Sequence, residues 1–217
     1  HAGLTGARKL QFHRLLIADL KAREERLLLV VLGTIEAMEP PSPMFVVPLV
    51  ELLRQTSDQP LRQDVAIRAI GGLGKAAAPA VPYLREILLR EQPDRQRGLI
   101  DALQRIGLDV EGVPEAIQEV VPILAERLPA PETRSEAIDA LKDLGLDVEG
   151  VRDALQGIVP TLAEDARGAA VQPRIDGITN LKFLGREFEG VDEALQAAAT
   201  ARARGLQEKD FSARSDA

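Results

Sequence analysis

The chain has 217 residues, a formal net charge of -7 and no cysteine, so disulfides, cysteine-ligated metals and thiol catalysis are excluded. Apolar residues make up 45% but aromatics only 3%, which leaves Leu, Ile, Val and Ala to build the core. The most apolar run, Leu27 to Ile35, is far shorter than the roughly 20 residues that cross a bilayer, and no membrane span is expected.

The charge is unevenly placed. Residues 1–30 carry six Lys/Arg against three Asp/Glu, residues 31–100 are balanced, and residues 101–200 hold an excess of 11 negative charges. An acidic body repels phosphate backbones, so no nucleic-acid partner is expected. No charged, apolar and small-residue leader opens the chain, and a cytoplasmic location is expected. A segment removed ahead of His1 would make a periplasmic or extracytoplasmic location the alternative.

Residues 1–44 read as N-terminal helices, with 10–44 a degenerate first helix pair. Beyond them the chain repeats itself. GLDVEGVPEA begins at Gly107, GLDVEGVRDA at Gly145 and GREFEGVDEA at Gly185, spaced 38 and 40 residues apart. A period of that size marks stacked supersecondary units. With Gly74, Gly107, Gly145 and Gly185 in one column, the preceding residue is Leu73, Ile106, Leu144 or Leu184. Four before the glycine stand Ile70, Leu103, Leu141 and Leu181, and five before it Ala69, Ala102, Ala140 and Asn180. Seven before it stand Ile67, Ile100, Ile138 and Ile178. These offsets form one face of a helix of roughly 12 residues, which the glycine then ends as a left-handed cap. Gly177 and Asn180 sit in columns that hold Ala in the best-matching unit, which weakens their helix.

A second column runs through Val47-Pro48, Val81-Pro82, Val121-Pro122 and Val159-Pro160, followed by Leu49, Leu84, Leu124 and Leu162. Proline is tolerated in a first helical turn, so these positions belong to the other helix of each unit. The step from glycine to Val-Pro is 7 residues after Gly74 but 14 after Gly107 and Gly145. The extra two turns either lengthen the helix or add a short one, with Pro122 and Pro160 at a kink or a helix start. At the C-terminal end the pattern becomes Ala199-Thr200-Ala201-Arg202, as in a capping unit. Residues 205–217 read as a polar, flexible tail.

The combined pattern is clearest in TRSEAIDALKDLG (Thr133 to Gly145) and PRIDGITNLKFLG (Pro173 to Gly185), and it resembles the HEAT repeat family. Arg134 and Arg174 stand at that family's arginine position, with Arg62 and Arg95 one place earlier in the other units. The resemblance implies an all-α fold, a right-handed α-α superhelix of HEAT/armadillo-like solenoid type. HEAT-like repeats would cover residues 45–204, including the C-terminal cap. It also implies that the second helices line a concave surface. Their non-core positions are Arg68, Asp101, Gln104, Arg105, Asp139, Lys142, Asp143, Thr179, Lys182 and Phe183, the candidate protein-binding residues. Asp139 and Asp143 are expected to be exposed, and Asp101/Arg105 to form an i,i+4 pair. Phe183 replaces polar residues in its column and reads as a core filler beside Gly177, with an exposed contact as the alternative.

Little in the chain points to catalysis. The acids Asp109 and Glu111, Asp147 and Glu149, and Glu187 and Glu189 could form a cation-binding row. Their place just after a helix-ending glycine reads instead as N-terminal capping of the next helix. His1 and His13 are the only histidines, and His13 reads as an exposed or packed helical residue. No catalytic, metal or cofactor residue is assigned and no cofactor is expected. The functional expectation is a non-enzymatic scaffold for a basic or mixed-charge protein partner. The alternatives are a HEAT-like enzyme of the bilin lyase or isomerase type, and a structural subunit of a larger assembly.

Overall fold

The computed structural model describes residues 6–20, 25–39, 41–56, 59–90 and 93–215. Among the described residues the protein is all-helical, with no strand. It divides into two compact units, residues 1–120 and 121–217, with the boundary inside one helix.

The first unit contains α1 (Gly6–Asp19), α2 (Glu25–Glu36), α3 (Val46–Gln55), α4 (Pro60–Gly72), α5 (Val81–Leu88), α6 (Pro93–Ile106) and most of α7 (Val113–Ala125). Two 3-10 segments, Pro43–Phe45 and Gly74–Ala80, lead into α3 and α5. Pro60 and Pro93 open α4 and α6, where a missing N–H costs nothing because first-turn donors lack intrahelical partners. Helix α4 packs on α2, α3 and α6. It meets α6 so closely that a Cβ on Gly71 would lie 2.9 Å from the Ala102 Cα. Leu28, Leu32, Phe45, Leu49, Ile70, Leu84 and Leu99 are completely buried.

The second unit contains α8 (Pro131–Leu144), α9 (Val151–Arg167), α10 (Val171–Leu184) and α11 (Val191–Ser215). Helix α9 packs on α8, α10 and α11, and α10 also meets α8. Leu141, Leu155, Leu162, Leu181 and Leu184 fill its core.

The glycine-anchored columns are buried as the periodicity predicts: Ile70, Leu103, Leu141 and Leu181 have no exposed surface. Four details differ. In α3 the buried valine is Val46, while Val47 is 67% exposed; the Val-x-x-Leu spacing of Val81/Leu84 is matched by Val46/Leu49, so Pro48 falls one place later in the turn. Ile178 of α10 is only half-buried, whereas Ile67, Ile100 and Ile138 are buried. Pro122 and Pro160 start no helix but lie inside α7 and α9. The additional 7 residues therefore extend those helices by two turns, and both prolines are exposed, where water can reach the carbonyls they leave without a donor. Finally, α11 continues to Ser215, through the stretch read as a tail.

The helix-ending glycines also differ in conformation. Gly145 has φ 102° and ψ 146°, which is not the left-handed helical cap but a region essentially closed to other residues. Five residues later Gly150 caps the start of α9 in the left-handed helical conformation, at φ 82° and ψ -16°. Each of these turns is thus held by two glycines of positive φ, Gly107 and Gly112, Gly145 and Gly150, and Gly185 and Gly190.

Of the two settings open to a helical His13, exposed or packed, the structure shows the packed one: it is 4% exposed, with its ring centroid 5.1 Å from that of Phe45. Burial, and secondly the charge of Lys9, push its pKa below the ordinary 6.5. The unfolded chain therefore binds the proton first, and stability should fall as pH drops below about 6.5, levelling once pH passes the depressed native value. Urea unfolding of wild type and His13→Phe across the mildly acidic range should show a slope that the variant loses. Equal slopes would contradict the assignment.

Candidate binding surface

The second helices α4, α6, α8 and α10 are 13 or 14 residues long, and their columns one, four and five before the glycine face the core. The columns two, three and six before it carry the candidate residues. In the first unit Arg68, Asp101 and Arg105 are exposed and Gln104 is half-buried. Arg105 lies 3.8 Å from Asp101, but its closer partner is Glu36 of α2, at 3.1 Å. The tie is therefore mainly between helices rather than along one. It is permitted by Gly72, where a Cβ would stand 2.9 Å from the Glu36 Cγ.

In the second unit Asp143, Thr179, Lys182 and Phe183 are exposed. Asp139 and Lys142 are half-buried, which corrects the expectation that Asp139 is fully exposed; it stands one helical turn after Ser135, which meets Asn180 of α10. Lys142 and Phe183 are brought together. The ammonium of Lys142 lies 4.6 Å from the centre of the Phe183 ring and donates to the Phe183 and Leu184 carbonyls. Phe183 is 43% exposed, so it is no core filler. A cation over an exposed ring contributes about 0.5–1 kcal/mol, and Phe183→Ala should lower stability by no more than that in urea unfolding. A loss of several kcal/mol would restore the filler reading.

Gly177 explains why no filler is needed. A Cβ there would meet the Ala166 nitrogen at 2.8 Å and the Leu162 oxygen at 2.9 Å. The glycine lets α10 lie directly on the α9 backbone, leaving no gap beside it. Asn180, also read as a defect, is buried and donates to the Ser135 hydroxyl at 3.2 Å.

The acidic residues after the column glycines do not cap helices. Helices α7, α9 and α11 start after Gly112, Gly150 and Gly190, and the acids lie in the preceding turns. Asp109 instead pairs with Lys75, and Glu187 lies 3.8 Å from Lys142. The hydrogen bond from Lys75 holds the Asp109 carboxyl below its usual range. Among the described residues no group of three or more His, Asp or Glu side chains could share a metal ion.

Several ties had no signal in a single sequence. Arg85 grips both carboxylate oxygens of Glu119, and this hydrogen bonding lowers the Glu119 pKa. Arg54 stacks 4.8 Å from the centre of the Tyr83 ring. One feature did have a signal. Val171 and Ile175 are 62% and 50% exposed on α10, although the Ile175 column holds Asp64, Arg97 and Ser135 elsewhere. The contrast of that column between units, apolar in α10 and polar elsewhere, is the signal that marks them.

These arrangements define a protein that, among the described residues, is all-helical, with charged outer columns and no helix long and apolar enough to cross a membrane. Comparison with protein-family models and with curated proteins gives no match.

Proposed function

We propose that this chain is a non-enzymatic protein-binding scaffold, built as a right-handed HEAT-type superhelix over residues 45–204. The observation that supports it is the division of labour in the second helices. Their core columns are buried in every unit, while Arg68, Asp101, Arg105, Asp143, Thr179, Lys182 and Phe183 remain outside. Repeat arrays use such surfaces to hold other proteins. An excess of 11 negative charges over residues 101–200 favours a basic or mixed-charge partner.

Affinity capture from the source cells, compared with an Asp139→Lys/Asp143→Lys variant of unchanged circular dichroism, tests the reading. The expected result is a stoichiometric protein partner whose association slows in the variant and weakens with salt. Capture indifferent to both changes would reject the second-helix face, and the absence of any stoichiometric partner would reject the scaffold. A specific absorbance shift on adding a tetrapyrrole would replace it with the enzymatic reading. Small-angle scattering with a compact, isotropic profile would reject the superhelix.

A further inference from the structure

Helix α10 is apolar on two opposite sides. Gly177, Leu181 and Leu184 face the core of the second unit, while Val171, Ile175, Thr179 and Phe183 form an exposed row along the helix at steps of four residues. The same columns of α8 read Pro131, Ser135, Asp139 and Asp143, and those of α6 read Pro93, Arg97, Asp101 and Arg105. Only α10 among these helices presents Val, Ile and Phe there. A helix with apolar residues on both sides has the pattern of one that is packed on both sides. Three such side chains in one row are more than the scattered exposed apolar residues of an ordinary surface.

The row also indicates what would cover it. Residues four apart on a helix form the ridge that interdigitates with the ridge of another helix, so the complementary object is itself a helix with apolar residues one turn apart. The border of the row fixes its charge. Helix α8, which meets α10, carries the exposed Glu132, Glu136 and Asp143 and the half-buried Asp139, and α10 itself carries the exposed Asp176. Lys142 has its ammonium over the Phe183 ring and on the Phe183 carbonyl. Lys182 borders the C-terminal end of the row. We infer that the exposed face of α10, with the acidic face of α8 beside it, docks a basic amphipathic helix of a partner protein, anchored on Val171, Ile175 and Phe183. This rests on the scaffold reading and gives it a site and a partner chemistry.

The probe is a fluorescent model helix with leucines four residues apart on one face and lysines elsewhere, set against a twin with glutamates for lysines. Fluorescence anisotropy should show saturable binding of the lysine helix that weakens with salt, and none of the twin. The Val171→Ser/Ile175→Ser/Phe183→Ser variant keeps the charge of the protein. It should lose at least about tenfold in affinity, equivalent to about 1.4 kcal/mol, at unchanged helicity and with stability lowered by little more than the loss of the Lys142–Phe183 contact. Single Val171→Ser and Ile175→Ser variants, which leave the Lys142 contact in place, should each lose a smaller part. Equal binding by wild type and triple variant would show a purely electrostatic attraction and overturn the proposal. So would equal binding of the twin, or a wild-type self-association that the triple variant abolishes, since the row would then be an interface between copies. A captured cellular partner held equally by the triple variant would leave the scaffold standing and remove this site; the absence of any partner would remove both.

Discussion

Replacing Arg134 by alanine is expected to lower stability by about 3 kcal/mol, measured by urea unfolding. The side chain is only 6% exposed. Its Nε donates to the Leu128 carbonyl at 2.8 Å, one terminal nitrogen to the Pro129 carbonyl at 2.9 Å, and the other to the Asp165 carboxylate. Alanine leaves two carbonyls and a partly buried carboxylate without these donors, and the cost of unsatisfied groups exceeds the net value of the bonds that satisfied them. Asp165 is 28% exposed and can be hydrated in part, which places the effect at the lower end of the range for broken buried pairs. Arg134→Lys should recover less than half, because one ammonium cannot reproduce the planar fork that serves three acceptors. A loss within about 0.5 kcal/mol, the scale of ordinary surface changes, would mean that the fork is not held in solution.

Gly177 offers the second large effect, and with a sign opposite to simple propensity. In an open helix interior, Gly→Ala gains about 0.8–1 kcal/mol. Here the added carbon would sit 2.8 Å from a backbone nitrogen and 2.9 Å from a backbone oxygen of α9. Neither can swing away as a side-chain tip could, so α10 must lift off α9. Overpacking of this kind costs about 1–3 kcal/mol, which outweighs the propensity gain for Ala. For Gly177→Val, with more bulk and a β-branched side chain, a net loss of about 3 kcal/mol is expected. A Gly177→Ala variant that melts above wild type would show that the two helices are not in close contact.

These two residues also show what the sequence could and could not convey. The buried columns were legible because apolar periodicity is a property of one helix, and Ile70, Leu103, Leu141 and Leu181 meet that description without reference to their neighbours. Arg134 was marked by its place in the repeat, but its function depends on α9, which supplies Asp165. Gly177 looked like a flaw because propensity concerns a helix alone, whereas its use lies in the approach of a second backbone. Phe183 was misplaced for the same reason, since the ring is held outside by Lys142, 41 residues earlier in the chain. The acids following the column glycines were misassigned because the turn runs on to a second glycine before α7 and α9 begin. Of the candidate surface, the columns were found, but their pairing with neighbours and the apolar row on α10 were not.

The longer-range side-chain hydrogen bonds of the second unit join residues a few dozen positions apart. Arg134 reaches Asp165 across 31 residues, Gln156 meets the Glu189 backbone across 33, and Asn180 meets Ser135 across 45. Closing a loop costs entropy that grows only with the logarithm of its length, so these closures have nearly equal cost. None has to wait for a distant end of the protein. As the chain leaves the ribosome, the helices of the second unit can make these ties once a few dozen further residues have emerged. Assembly can then proceed in the direction of synthesis, with little time for an unmatched apolar face to meet the wrong neighbour.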